Sequence, residues 1–471
     1  MNWIRLSIAL AGLPILASGA FTNRTTELFA GGLSSGNSAW CDFNNDGYAD
    51  LYTSGALHRN DGGTNFTALP GHGWGIWGDF NNDGAQDIFD LDAGRVMRND
   101  GGTGSFTQID LPEMPGNDNR GACWADLNGD AYLDLYVGAY EATGYEFDSV
   151  LSNHQGKAFM KVWEEPAVPP DNVRFPGRGV TACDFDQDGD PDIYVSNYRI
   201  EANYLWLNDG NGGLTDVATD YGVAGTYDGW RYSYGHSIGS SWGDMNNDGF
   251  IDLLAGNFSH PQEWQDRARF YQNLGPSKDW HFEQKWELTG DAWQESYATP
   301  ALADYDNDGD LDLYYTTVYG GDNSRLWRND GNWTFTNVTG EEGLAGMPAT
   351  YQAAWADFNH DGFMDLATGG RLYQNMGNDN HWLKVQLEGN GTTVNRSAIG
   401  AQVRIDLGEG TILTREVEAG TGEGNQNDLT LHFGLGTRTD PVTLKIAWPD
   451  GTKKTVADVT IDQQISEIQP P

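Results

Sequence analysis

The sequence predicts an all-β fold: a seven-bladed β-propeller carrying acidic loops, followed by a small C-terminal β-sandwich. Three observations predict it. A nine-residue pattern, Asp-x-[Asp/Asn]-x-Asp-[Gly]-x-x-Asp, occurs seven times, starting at Asp42, Asp79, Asp126, Asp184, Asp244, Asp304 and Asp357. The copies lie roughly 40–60 residues apart, the scale of a repeat architecture. Around each copy the chain alternates between short strand-like runs and Gly or Asn turns, with no sustained helical period.

Each repeat begins with a run of small and apolar residues, such as "SAWC", "ACWA" or "AAWA", just before the acidic loop. A second run follows it, as in "DLYTSG" and "DIYVSNY". A third ends in Asn and a Gly turn, as in "LHRNDG", "LWLNDG" and "LYQNMG". An aromatic-led run such as "FTQID" or "FTNVT" completes several copies. Four strands per repeat suit a propeller blade. A β-solenoid is the rival, but its repeats are shorter and more uniform. The last repeat lacks a fourth strand before residue 378, and "FTNRTTEL" at 21–28 resembles the fourth strand of the sixth repeat, "FTNVTGEEGL". Residues 21–26 are therefore expected to close the last blade, which would pair two exposed edges. The propeller is expected to span 21–377 and the second domain 378–471.

The acidic loops raise an electrostatic question. Side chains at loop positions 1, 3, 5 and 9 can converge only around positive charge. A hard cation with six to eight oxygen ligands supplies it, and Ca²⁺ suits flexible oxygen cages better than Mg²⁺, which demands octahedral geometry. The expected ligands are Asp42, Asn44, Asp46 and Asp50 in the first loop, and Asp79, Asn81, Asp83 and Asp87 in the second. The third offers Asp126, Asn128, Asp130 and Asp134, the fourth Asp184, Asp186, Asp188 and Asp192. The last three offer Asp244, Asn246, Asp248 and Asp252; Asp304, Asp306, Asp308 and Asp312; and Asp357, Asn359, Asp361 and Asp365. The third departs from the pattern, because Ala131 stands where the others have glycine. Seven such loops in step with a β-repeat predict up to seven Ca²⁺ ions holding blades together rather than doing chemistry. The formal net charge of −41 agrees with a cation-loaded protein and argues against nucleic acid or anionic lipid as a partner.

"MNWIRLSIALAGLPILASGA" has one Arg, a short apolar core and a small-residue end. Residues 1–20 are expected to be a secretory signal peptide. No other run could span a membrane, so a secreted or periplasmic protein is expected, where weak Ca²⁺ sites fill. Cys41, Cys123 and Cys183 precede acidic loops in equivalent strands and are expected to be buried small residues, not a disulfide framework.

These repeats resemble the FG-GAP/VCBS family, which includes the calcium-binding propellers of integrin α chains. After residue 378, "NRSAIGAQV", "HFGLG" and "WPDG" resemble the ASPIC/UnbV domain, which follows such repeats in cartilage acidic proteins and their bacterial relatives. No EGF-like tail follows, so a bacterial-type member is expected. The resemblance implies secretion, calcium and a binding or adhesive role. Read by itself, the C-terminal segment gives about five or six strands with Gly turns. His432 alternates with apolar residues and reads as structural; "GTGEGNQNDL" lacks the lysine and helix of a phosphate loop.

In a propeller the loops before the inner strands and between the second and third strands share the face opposite the acidic loops, and the long insertions fall there. His72, Arg120, Arg178, His236, Tyr297 and Tyr351 are expected to ring that channel mouth. They suggest a site for an extracellular glycan, a protein or a small anionic ligand, unless the basic ones pair with Glu141, Glu201 or Asp228. A binding or adhesion module is the main expectation. The alternative is an enzyme using His72 or His236 with a loop carboxylate.

Overall fold

The structure, a computed structural model, describes residues 20–470 apart from 71–72, 113–118, 141–146, 169–173, 227–233, 260–265 and 288–292. Residues 1–19 of the expected leader, and the site candidate His72, lie outside the described residues. The chain is all-β, with only short helical turns between strands. Its described residues contain no helix long and apolar enough to cross a membrane.

Strands from Ser38 to Asn337 form six four-stranded antiparallel sheets, each from four consecutive strands. In a seventh, Ala354–Ala356, Asp365–Thr368 and Arg371–Asn375 are joined by Phe21–Asn23 from the other end of the chain. Phe21 lies opposite Asn375 and Asn23 opposite Tyr373. The inner strands are Ser38–Cys41, Gly75–Gly78, Asn119–Ala125, Gly177–Cys183, His236–Gly243, Tyr297–Ala303 and Ala354–Ala356. Each packs against the next, and Ala354–Ala356 also packs against Ser38–Cys41, so the series returns on itself in a propeller-like ring.

The buried apolar side chains fill the seams between sheets. Trp40 and Leu51 of the first sheet pack with Ala354, Phe358 and Leu372 of the seventh, and Phe185 and Tyr194 of the fourth pack with Trp242 and Leu253 of the fifth. Inner-strand tryptophans also bond across seams: Trp40 Nε1 donates to Ala354 O (3.2 Å) and Trp242 Nε1 to Thr181 Oγ1 (3.0 Å). Cys41, Cys123 and Cys183 are free and buried in these seams, and burial pushes their thiols up.

The asparagine that ends each third strand ties the ring together. Asn60 Nδ2 donates to Ala49 O in its own acidic loop (3.0 Å) and to Phe358 O in the loop of the preceding sheet (2.8 Å). Asn99, Asn153, Asn208, Asn273, Asn329 and Asn375 repeat this, reaching back to Phe43, Phe80, Leu127, Phe185, Met245 and Tyr305. Each Oδ1 accepts a glycine N–H of the following turn, as Asn329 does from Gly331 (3.1 Å). These asparagines are buried, so on folding their amides exchange water for these backbone partners.

The second domain is two sheets. His381–Glu388 lies between Leu431–Gly436 and Gln463–Ile468; the other sheet runs Thr411–Glu416, Gln402–Gly408, Val442–Ala447 and Lys453–Val459. Their apolar faces, including Leu383, Val403, Phe433 and Ile446, form one cluster that continues into Ile76, Phe80 and Trp124 of the ring. The domain therefore seats on the acidic-loop side rather than trailing from it.

Its glycine-rich segment, residues 419–428, enters the ring axis. The inner strand of a blade leaves one edge of backbone groups unpaired, and this segment pairs several of them. Gly422 N donates to Ser240 O (2.7 Å), Gln426 N to Ser38 O (3.0 Å) and Asp428 N to Trp355 O (3.0 Å), while Trp40 N donates to Gln426 O (3.1 Å). The Gln426 amide accepts from Trp77 N (2.6 Å) and donates to Trp77 O (3.1 Å). Glycine is required at Gly422, whose φ is +61° and where a Cβ would come within 2.2 Å of Thr299.

Two outcomes are expected. Asn329→Ala orphans the buried Met245 and Leu311 carbonyls and the Gly331 N–H; at about 1–3 kcal/mol per buried unsatisfied group, the loss should reach roughly 3 kcal/mol or more in urea unfolding. Deleting residues 21–28 strips the outer strand from the seventh sheet, and an unchanged melting temperature would contradict ring closure through that strand.

Candidate metal loops and channel mouth

Each acidic loop connects the first and second strands of its sheet, and its carboxylates are organised by backbone donors. In the first loop Asp42 accepts Asp46 N (3.0 Å) and Gly47 N (2.8 Å), and Asn44 Oδ1 accepts Asp46 N (2.9 Å). Asp46 Oδ1 accepts Tyr48 N (3.0 Å), while Asp50 accepts Phe43 N (3.2 Å) and Asn60 N (2.6 Å). Asp79, Asp126, Asp184, Asp244, Asp304 and Asp357 repeat the first of these turns. The third loop keeps it with Ala131 at φ +71°, where a non-glycine residue is strained.

The residues present fit a hard cation. In the fourth loop, oxygens of Asp184, Asp186 and Asp188 lie within 4.8 Å of one another, and in the sixth so do oxygens of Asp304, Asp306 and Asp312. Asp186 Oδ1, Asp192 Oδ2 and Asp306 Oδ1 are buried and have no hydrogen-bond donor. Where position 3 is asparagine, its amide turns onto the position-5 carboxylate instead: Asn44 Nδ2 donates to Asp46 (2.9 Å), Asn81 to Asp83 (2.9 Å), Asn246 to Asp248 (2.8 Å) and Asn359 to Asp361 (2.7 Å). The all-aspartate loops have no such internal donor, so their crowding is the plainest. Asn128 in the third loop points to Ser152 Oγ (3.3 Å).

Burial, then mutual repulsion, raises these carboxyls. Asp50 and Asp184 are pushed up to about 8, Asp134 and Asp244 to about 7, and Asp79 and Asp126 to about 6. Burial also raises Asp87, Asp192, Asp252, Asp304, Asp312 and Asp365 well above the usual carboxylate range, with neighbouring aspartates adding to it.

The second domain reads these loops directly. Lys384 Nζ sits 2.8 Å from Asp357 Oδ2, with both side chains buried. Gly434 N donates to Asp304 Oδ2 (3.0 Å), Asp79 N to Ser397 Oγ (2.9 Å) and Gln402 Nε2 to Asp184 O (2.9 Å). His432 is structural: burial holds its ring neutral, with its pKa lowered to about 4, and Nε2 meets Gly362 O at 3.1 Å. Over the first, second and seventh loops the domain leaves a cleft of about 380 Å³, lined in part by Asp42, Asp79, Asp357, Gln386, Arg396 and Gln464.

At the opposite mouth the structure brings together four of the six expected residues. Arg178 is buried, and its Nε donates to Glu423 Oε1 at 2.9 Å, at the tip of the axial segment. Its guanidinium lies 4.9 Å from the Tyr140 and Tyr198 rings, 5.1 Å from Tyr351 and 5.9 Å from Phe258. Arg120 lies over Tyr140 at 5.7 Å, and His236 is 4.6 Å from Tyr198. Tyr297 goes elsewhere. It stands seven residues before Asp304, where Arg120, Arg178 and Tyr351 stand six before their own loop aspartates, so it takes the other side of the strand, and its ring packs on Tyr315 in the seam between the fifth and sixth sheets. The partner of Arg178 is thus a carboxylate from the second domain, 245 residues away in sequence. The only sequence cue was the glycine-rich spacing around Glu423, which suits a chain in a narrow channel.

This is a ring of β-sheets whose repeating loops are built to gather oxygen ligands, capped by a sandwich that plugs its axis. The chain belongs to the FG-GAP-like repeat family, whose model matches residues 79–137, 184–255, 244–315 and 304–368, and residues 391–470 match the ASPIC and UnbV model. It is 25% identical over 379 residues to cartilage acidic protein 1 of Mus musculus, covering 74% of this chain and 55% of that one. The Homo sapiens protein is 25% identical over 358 residues, 70% of this chain and 50% of that one. The chain thus spans about half the length of these relatives. Among solved structures, a periplasmic gluconolactonase of Pseudomonas aeruginosa aligns at 10% identity with a TM-score of 0.45, over 90% of this chain and 99% of that one. An Agrocybe aegerita lectin aligns at 17% identity with a TM-score of 0.42, over 64% and 79%.

Arg178→Ala removes one half of a buried ion pair and should cost about 3–5 kcal/mol in chemical unfolding. Adding Glu423→Gln to the Arg178→Ala chain should recover part of that loss; a recovery of zero would argue against the pair.

Proposed function

We propose that the chain is an exported, calcium-loaded binding module that meets an extracellular ligand at the mouth opposite its acidic loops. The observation that carries the calcium reading is the fourth and sixth loops, where three carboxylates converge with buried oxygens that lack donors. Bound Ca²⁺ would supply the positive charge that these oxygens face. The residues that would hold it are those at positions 1, 3, 5 and 9 of each loop. Export suits the leader-like start and the millimolar calcium that weak sites need.

The mouth supports a hydroxylated ligand, such as a glycan, better than an anion. The charge of Arg178 is matched by Glu423, which leaves Tyr198, Tyr319 and Tyr351 as the main character of the surface, with Tyr140 buried beneath. Aromatic faces with a few polar atoms suit the apolar faces and hydroxyls of sugar rings. A glycan array probed with and without calcium tests this. Calcium-dependent binding that Tyr198→Ala removes is the expected result, and binding that survives that change would place the site elsewhere.

Calcium should be visible in stability. Each ion binding only the folded state adds about 1.4 kcal/mol at tenfold excess over its dissociation constant. A chelator should therefore lower the melting temperature markedly. Without calcium, the raised carboxyls of Asp50, Asp134 and Asp184 keep protons in the folded state that the unfolded chain has released. The chelated protein should then lose stability as pH rises from about 4 to about 8. Excess calcium should remove most of that fall, and a melt indifferent to both chelator and pH would sink the calcium reading.

A further inference from the structure

Two buried carboxyls lie outside the acidic loops, in the seam between the third and fourth sheets. Asp148 immediately precedes the strand Ser149–Asn153, and Glu165 immediately follows the strand Phe159–Glu164. Asp148 Oδ1 accepts Ala139 N (2.8 Å) and Oδ2 accepts the Tyr136 hydroxyl (2.8 Å). Glu165 Oε1 accepts Phe175 N (3.0 Å) and the Tyr204 hydroxyl (2.8 Å), while Oε2 is buried with no partner. The Glu165 N–H donates to Asp148 O (2.9 Å). Both residues are at most 1% exposed.

The titratable groups that face the pair are Tyr136 from the third sheet and Tyr204 from the fourth. Arg174 is near, but its Nε donates to the Glu165 carbonyl (3.0 Å) and its guanidinium lies over Phe147 (4.6 Å). Among the described residues no basic side chain forms an ion pair with either carboxyl. Two uncompensated negative charges in such a seam are too costly, so one proton must stay. Burial raises both groups, and the Asp148 charge raises Glu165 further.

The other repeats show that the carboxyl is a choice. At the same place Asn203 Oδ1 accepts Asn197 N (2.9 Å) in the fourth sheet, and Ser324 Oγ accepts Thr317 N (3.2 Å) in the sixth. The structural task, capping the last N–H of the second strand, is done there by neutral side chains. The pair also touches the mouth. A Cβ on Gly177 would be 2.6 Å from Asp148 Oδ1, Phe175 N is held by Glu165, and the next residue after Gly177 is the Arg178 that grips Glu423.

We propose that the neighbouring Asp148 and Glu165 carboxyls together retain one proton and act as a pH-sensitive joint that orders Phe175–Arg178 at the channel mouth. When that proton leaves to solvent, two nearby buried carboxylates repel, and the segment carrying Arg178 loosens. The folded state binds the extra proton, so this stability is present at acidic pH and is lost as pH rises through the raised range.

Amide exchange of Phe175–Arg178, corrected for the intrinsic rate, tests this in excess calcium from about pH 5.5 to about pH 9. Protection should fall by up to about tenfold per pH unit, the limit for one proton. Asp148→Asn, which installs the side chain of the fourth sheet, should remove most of the dependence, as should Glu165→Gln; the double variant should be flat. Wild-type slopes in the double variant would overturn the proposal, since other groups would then be titrating. So would a wild-type protein that is flat in calcium and sloped in chelator, which would mean a cation, not a proton, sits between the two carboxyls.

Discussion

The fold depends on a buried asparagine that serves two acidic loops at once. Each loop bends sharply around its carboxylates and turns backbone carbonyls inward. Those carbonyls are buried and need donors. The side-chain amide at the end of each third strand supplies two N–H groups, one for its own loop and one for the loop before it. Sheets that share little backbone pairing with each other are thereby joined by side-chain hydrogen bonds as well as by apolar packing. The arrangement closes only if the first asparagine, Asn60, finds the loop of the last sheet, and it does so at Phe358.

The same constraint explains how so much negative charge is tolerated. Backbone N–H groups hold the carboxylates against their mutual repulsion, and in the fourth and sixth loops three of them converge with oxygens within 4.8 Å of one another. The second domain adds Lys384 against Asp357 and backbone donors against Asp304. Its axial segment does for the inner strands what neighbouring strands do elsewhere, by pairing edge groups that would otherwise face an empty channel. Ring and cap are thus one folded object, with apolar contacts continuous between them.

Much of this was legible in the chain. The repeated pattern fixed the position of the loops, the period-two runs fixed the strands, and the resemblance of "FTNRTTEL" to a fourth strand anticipated the pairing of Phe21 with Asn375. The asparagine relay was visible as a recurring letter, but its role was not, because the bond crosses to a different repeat. The mouth was legible only in part: Arg120, Arg178, His236 and Tyr351 gather there, whereas Tyr297, seven residues before its loop aspartate rather than the six of Arg120, Arg178 and Tyr351, turns into a seam.

The sequence by itself determined what repeats: the loops, their ligand-type residues, the strand order and the change of character near residue 378. It could do so because these features depend on local backbone geometry and on residue spacing. Tertiary structure alone decided what meets across the axis. It set Glu423 on Arg178, placed residues 419–428 in the channel, and brought Asp148 beside Glu165 with no basic side chain paired to either among the described residues. Those contacts join segments far apart in the chain, and their chemistry arises from burial, which a linear sequence does not state.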